Sequence, residues 1–248
     1  MGIGKTLGLT YLAWNNYYYK KRSICANYNL YGIPYTPILT LDDLKKMIPS
    51  ETATTEQLML QKEIFFAADE LWRWIDSRCA IMGFSKTRTQ KIENKIVTDI
   101  LAASRKAFVT VAYTTQTFDQ VDKRIKQITD FVFYPVLVGD NTLCRMSVFK
   151  GSRPTIGTML PDIRFFCEPM FAMYNTYEII QPLLEGEVSE EKTQHPTENP
   201  AWIKYCRDRK MTDEQIARKT EAMLKNILRK EEKEEELPLV DDENTKNQ

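Results

Sequence analysis

The feature that most constrains this sequence is a run of five apolar residues, Ile64-Phe65-Phe66-Ala67-Ala68, closed by the acidic pair Asp69-Glu70. Nothing polar alternates within the run, so neither face of it is suited to water. A strand buried on both faces belongs inside a parallel sheet covered by helices. The two carboxylates then emerge at the end of that strand. A second run of the same kind, Phe108-Val109-Thr110-Val111-Ala112-Tyr113, ends in Thr114-Thr115-Gln116. Between the two runs Ile92, Ile96, Ile100 and Ala103 share one face at the 3.6-residue period, which predicts a helix from about Thr87 to Arg105.

The rest of the chain extends this alternation. Leu9, Leu12 and Ala13 predict a helix opening after Gly4 and running to about Tyr19. Ser23 to Asn29 reads as a short strand, and Gly32 to Pro37 as a loop broken by its two prolines. Thr40 with Asp42 and Asp43 can cap a helix through about Met47. Asp119 to Gln127 reads as a short polar helix. Phe131–Val138 and Thr142–Lys150, joined by Gly139-Asp140-Asn141, predict an antiparallel hairpin. Strands alternating with helices over residues 1 to about 138 indicate an α/β fold, a mostly parallel sheet flanked by helices, with the hairpin at its edge. The organisation expected is one α/β domain over 1–184, a charged linker over 185–200, a C-terminal helical segment over 201–230 and an acidic disordered tail over 231–248. Thr212-Asp213-Glu214-Gln215 is a capping box for the last helix.

Composition narrows the classes. The chain has 248 residues with 34 Lys+Arg against 34 Asp+Glu. The last 20 residues carry a net charge of −4, which leaves the body at +4, mild enough to permit a nucleic-acid partner without demanding one. No stretch of about 18 apolar residues predicts a membrane span, and no basic-then-apolar leader opens the chain. Five widely spaced cysteines without a CxxC pair argue against a disulfide scaffold or a zinc site, and point to a reducing, cytoplasmic setting. The single histidine, His195, falls in the polar linker, against histidine-based catalysis.

Three motifs carry chemistry. Gly2-Ile3-Gly4-Lys5-Thr6 matches the last part of GxxxxGK[ST], in which backbone N–H groups and a helix N-terminus cradle phosphates. In that reading Gly2 and Gly4 shape the loop, Lys5 neutralises the β- and γ-phosphates of ATP, and the Thr6 hydroxyl holds Mg²⁺. The first glycine of the full motif falls five residues before Gly4, outside this sequence, as does the strand that normally feeds the loop. A truncated product, a misassigned start and a chance match all remain open. The buried run that delivers Asp69 and Glu70 is a Walker B pattern, with Asp69 toward the metal and Glu70 toward the attacking water. Gln116, at the end of the next strand, is placed to contact the γ-phosphate. Taken together, in this order, they point to a P-loop core that hydrolyses a nucleoside triphosphate.

The series Gly2-x-Gly4-Lys5-Thr6, then Phe65 through Asp69-Glu70-Leu71-Trp72-Arg73-Trp74 to Asp76-Ser77-Arg78, then Ser104-Arg105-Lys106, Tyr113-Thr114-Thr115-Gln116 and Val121-Asp122-Lys123-Arg124 resembles the zonula occludens toxin-like ATPases of the FtsK/HerA superfamily. The resemblance covers about residues 2 to 138, with Tyr174–Glu178 as a further point of similarity. It implies a RecA-like P-loop NTPase of the ASCE type, ATP and Mg²⁺ as cofactors, a homo-oligomeric ring such as a hexamer, and movement of double-stranded DNA, as in viral genome packaging. Motors of this kind complete the site with an arginine from the neighbouring subunit. Arg78, Arg105 and Arg124 are the candidates, and the sequence does not choose among them. Arg88, Lys91 and Lys95 form a basic stripe that could meet DNA phosphates or simply face solvent. Two other readings stay open: a non-hydrolytic assembly protein on an inherited P-loop scaffold, and a factor recruited to a membrane or capsid through a partner.

Overall fold

The structure, a computed structural model, describes residues 4–48, 62–74, 103–116, 121, 123–151, 158–181, 183 and 189–235, excepting the side chains of Trp72, Arg105, Lys106 and residues 227–235. The helix expected over 87–105, the stripe Arg88, Lys91 and Lys95, and Arg78 lie outside the described residues apart from the last few positions, where Ser104–Ala107 form a 3-10 turn.

Among the described residues the principal sheet has five strands, in the order β4-β3-β1-β2-β8. These are β1 (Ser23–Ala26), β2 (Pro34–Pro37), β3 (Ile64–Ala68), β4 (Val109–Tyr113) and β8 (Lys192–Thr193). The first four in that order pair in parallel, and β8 adds an antiparallel edge. Burial of β3 follows from its composition. Phe65 and Ala67 turn into one apolar cluster with Ile24 and Ala26, while Phe66 and Ala68 turn into a second with Cys25. Successive side chains of a strand point to opposite faces, so a run without alternation fills two cores at once.

Helix α1 (Lys5–Tyr18) covers the first of these faces through Leu7, Leu9 and Ala13. Gly8 brings it close to the neighbouring sheet: a Cβ there would lie 2.7 Å from the Met146 sulfur. Helix α2 (Leu41–Lys46) covers the other face through Leu44. Its N-terminus is a reciprocal box in which Thr40 accepts from the Asp43 N–H and Asp43 accepts from the Thr40 N–H. Helix α3 (Lys123–Ile128) packs Ile125 into the same cluster.

Several expectations are corrected here. Residues 34–37, read as loop, form β2. Pro34 opens the strand and Pro37 closes it, where a missing N–H is tolerated, and Tyr35 and Thr36 keep their donors. The hairpin of β5 (Phe131–Val138) and β6 (Leu143–Lys150) forms, but not as an edge of the parallel sheet. It joins β7 (Thr158–Phe166) in a separate three-stranded antiparallel sheet in the order β5-β6-β7. Pro161 and Asp162 fall where the β6–β7 register shifts between Met146 and Val148, so the proline is taken up by a bulge. The stretch read as linker contributes β8, and the helical backbone at the C-terminus continues to Glu235, beyond the expected start of the tail.

Helix α4 (Cys167–Phe171) leads toward two further helices, α5 (Pro200–Asp208) and α6 (Asp213–Glu235). These fold back on the body through a cluster of Ala172, Trp202, Cys206 and Ile216. The capping box at Thr212 and Gln215 forms as expected. His195 caps a 3-10 turn at Pro196–Glu198 by accepting from the Thr197 N–H at 3.3 Å. Cys25, Cys144, Cys167 and Cys206 are buried free thiols. No helix among the described residues is long and apolar enough to cross a membrane.

Candidate functional site

Parallel pairing sets the site. The register opposes Ala26 to Ala67 and Ala68 to Tyr113, so Asn27, Asp69 and Thr114 follow side by side at one end of the sheet. The N-terminus of α1 meets the same end. Gly4 enters it at φ +84°, a left-handed conformation that glycine adopts without strain, and no side chain caps the helix. The first helical bond runs from the Gly8 N–H to the Gly4 carbonyl, which leaves the N–H groups of Lys5, Thr6 and Leu7 without an acceptor inside the helix.

Asp69 is the centre of the arrangement. The residue is buried, 8% exposed. Thr6 Oγ1 donates to Oδ2 at 3.0 Å, and Thr114 Oγ1 donates to Oδ1. Asn27 clamps the backbone of the same residue: its Oδ1 accepts from the Asp69 N–H at 2.7 Å and its Nδ2 donates to the Asp69 carbonyl at 2.8 Å. Burial raises the Asp69 pKa and outweighs the hydrogen bonds from Thr114 and Thr6, while the charge of Glu70 pushes it the same way. Thr10 Oγ1 donates to the Thr6 carbonyl at 2.9 Å, so Tyr28, 3.2 Å away, donates to Thr10 and braces this turn of α1.

Glu70 has φ +45°, an uncommon conformation for a residue with a Cβ, costing on the order of 1 kcal/mol or more. Its N–H donates to Thr114 Oγ1 at 2.8 Å, and the Leu71 N–H donates to the Thr114 carbonyl at 3.1 Å, which together hold the turn. Its carboxylate meets Arg73 Nε at 2.6 Å and accepts from Gln116 Nε2 at 3.3 Å. Lys5 Nζ donates to the Thr115 carbonyl at 2.9 Å.

Lys5, Thr6, Asp69, Glu70 and Gln116 are therefore brought to one edge. Gly4 is the turn beneath them, and Gly2 lies outside the described residues. Arg124 is exposed on α3, and Arg105 belongs to a 3-10 turn whose side chain at that position is outside the description. Sequence reasoning missed Asn27, Thr114 and Arg73. The first two carry the signal already used for Asp69 and Gln116, a polar residue directly after an apolar strand.

The donors around Asp69 are hard oxygens, one carboxylate and one or two hydroxyls. Among the described residues no group of three or more His, Cys, Asp or Glu could hold a metal. Such a set fits Mg²⁺, which keeps waters and takes its other oxygens from phosphates. It does not fit a dedicated protein cage.

No family model matches the chain, and no curated protein matches it. Among solved structures, the N-terminal domain of zonular occludens toxin from Neisseria meningitidis superposes with a TM-score of 0.42 at 16% identity, covering 70% of this chain and 94% of that one. A likeness at that level decides nothing about the chemistry of this chain.

Proposed function

We propose that the chain binds a nucleoside triphosphate at this sheet edge and hydrolyses it. The observation that carries the reading is the convergence of Thr6, Asp69 and Thr114 in one hydrogen-bonded group beside the open N-terminus of α1. In the proposal the N–H groups after Gly4 and the Lys5 ammonium take the phosphates, and Gly2 continues the loop. Thr6 and Asp69 hold Mg²⁺, which when bound neutralises charge on the phosphate oxygens. Glu70 orients and deprotonates water, and Gln116 contacts the γ-phosphate and reports it to Glu70. ATP is the expected nucleotide.

Binding of a fluorescent ATP analogue and phosphate release test this together. Lys5→Ala should weaken binding at least about tenfold. Glu70→Gln should keep binding and lower turnover by roughly 100-fold or more. Unchanged turnover in Glu70→Gln removes Glu70 from the mechanism, and no binding by the parent chain with Mg²⁺ ends the proposal.

The ion pair of Arg73 with Glu70 favours a second reading, in which nucleotide is bound without turnover by an assembly protein. Nucleotide retained with no phosphate release selects it. Movement of double-stranded DNA by a homo-oligomeric ring, with Arg105 or Arg124 acting on a neighbour's site, is the further proposal the sequence resemblance suggests. DNA-stimulated phosphate release supports it, and a rate indifferent to DNA opposes it.

A further inference from the structure

Residues 174–181 have no part in the proposed chemistry, yet they are tied to the site and its surroundings at successive points. At one end the Tyr174 carbonyl accepts from Asn199 Nδ2, the cap of α5, at 2.9 Å. The Tyr177 ring lies under Lys204 Nζ of the same helix, 4.9 Å from its centroid. Glu178 accepts at 2.9 Å from both the N–H and the Nδ2 of Asn29, two residues past Asn27. At the other end the Ile180 carbonyl accepts from a terminal nitrogen of Arg73 at 3.1 Å, and the Gln181 carbonyl accepts from Trp74 Nε1 at 3.0 Å. Ile180 is buried, while Tyr177 and Ile179 are 60% and 67% exposed. The segment is therefore a strap, pinned along one row of residues and open to solvent along the other.

Arg73 is where the strap meets the site. It ends the 3-10 turn Leu71–Arg73 that follows Glu70. A guanidinium is planar and presents its N–H donors in a fixed fork. Here Nε meets Glu70 Oε2 at 2.6 Å while a terminal nitrogen of the same group donates to the Ile180 carbonyl. One rigid group spans the strap and the Glu70 carboxylate, so neither can shift without the other. An ordinary ion pair three residues apart on a surface turn has no such second anchor. Glu70 Oε1 accepts from Gln116 Nε2 at 3.3 Å, so each carboxylate oxygen already faces a side chain. The charge-assisted contact to Arg73 is the shorter of the two. A general base must bring an oxygen within hydrogen-bond reach of the water it deprotonates.

We infer that Arg73 is a positioning residue that holds Glu70 in a resting orientation, and that the strap 174–181 sets that hold. The inference rests on the nucleotide reading above and adds a step before the chemistry. The γ-phosphate draws Gln116 away from Glu70, which leaves Arg73 as the remaining restraint. When the strap yields, Arg73 turns from Glu70 and the freed carboxylate reaches the water. Asn199 and Lys204 fasten the strap to α5, so the C-terminal helices are the part of the fold placed to set it.

The test uses the full chain and three readouts: binding of a fluorescent ATP analogue, phosphate release at varied ATP with Mg²⁺, and NMR hydrogen exchange of the Trp74 indole N–H without nucleotide. Arg73→Ala should raise kcat at least about fivefold and change KM less than about twofold, because it frees Glu70 and leaves the phosphate-binding groups in place. Arg73→Ala combined with Glu70→Gln should fall back to the rate of Glu70→Gln alone, since the gain passes through that carboxylate. The Trp74 indole N–H should exchange at least about tenfold faster in Arg73→Ala than in the parent, because the strap has lost the anchor at Ile180. If Arg73→Ala fails to fold, Arg73→Lys takes its place: it keeps a cation for Glu70 but cannot span both contacts, and should raise kcat and indole exchange by smaller factors. A residue that only supports the fold would lower the denaturation midpoint and leave kcat unchanged or reduced. That result overturns the inference, as does indole exchange equal to the parent's. A parent chain that binds no nucleotide ends the proposed activity and this inference with it, whereas nucleotide bound with no gain in rate removes this inference alone.

Discussion

Asp69 concentrates the conflict between folding and function in one side chain. It is buried, yet its proposed role needs it ionised, and two threonine hydroxyls only partly compensate for the water it has lost. Burial raises its pKa above the ordinary 3.8. The unfolded chain therefore releases this proton at lower pH than the folded one. The stabilisation is complete below the unfolded pKa and is lost as pH rises through the folded value. Replacing Asp69 by Asn removes that titration. In EDTA, urea denaturation across pH 4 to 8 should show the parent losing stability relative to Asp69→Asn as pH rises, with nucleotide turnover abolished in the variant. A constant difference between the two proteins across that range would mean that Asp69 titrates normally. Glu178 is raised by burial as well and by the charge of Asp69, against two hydrogen bonds from Asn29, so the difference between the two proteins reports Asp69 together with its coupling to Glu178.

At the scale of elements, α1 is the part whose placement matters most, because it carries Lys5 and Thr6 while packing between the two sheets. Gly8 permits that packing. Alanine there gains helix propensity of about 1 kcal/mol but pushes on the flexible end of Met146, so Gly8→Ala should change stability little. Valine branches at Cβ and cannot avoid the contact, so Gly8→Val should destabilise by roughly 1–3 kcal/mol in urea denaturation, with partial recovery when Met146 is also replaced by Ala. Full stability in Gly8→Val would show that α1 and β6 are not tightly apposed. The two capping boxes, Thr40 with Asp43 and Thr212 with Gln215, are the element boundaries most plainly written in the sequence. Each depends on residues three apart, and no distant partner is needed to form it.

For the whole molecule, the link between body and C-terminal helices runs through Asn199, which is fully buried. Its Nδ2 donates to the Ala172 and Tyr174 carbonyls at 2.9 Å each, and its Oδ1 accepts from the Ala201 N–H at 3.0 Å as the cap of α5. Trp202 on that helix donates to Thr220 on α6 at 2.9 Å. Asn199→Ala strips a cap and orphans buried carbonyls, and should cost about 2–4 kcal/mol, read as a lowered denaturation midpoint with earlier proteolysis in α5 and α6. A loss below about 0.5 kcal/mol would mean the helices are held by apolar contact alone. The sequence by itself determined β3, β4, α1, the β5–β6 hairpin and the caps, because periodicity, turn residues and capping act over a few neighbouring positions. It also put Lys5, Thr6, Asp69, Glu70 and Gln116 forward as one set by their order along the chain. Only the tertiary structure decided that residues 34–37 are a strand, that Pro161 is absorbed in a bulge, that residues 192–193 close the sheet, and that Asn27 and Thr114 enclose Asp69. Those features follow from register between segments tens of residues apart, and the free energy that selects a register comes from the partner strand, which local sequence does not contain.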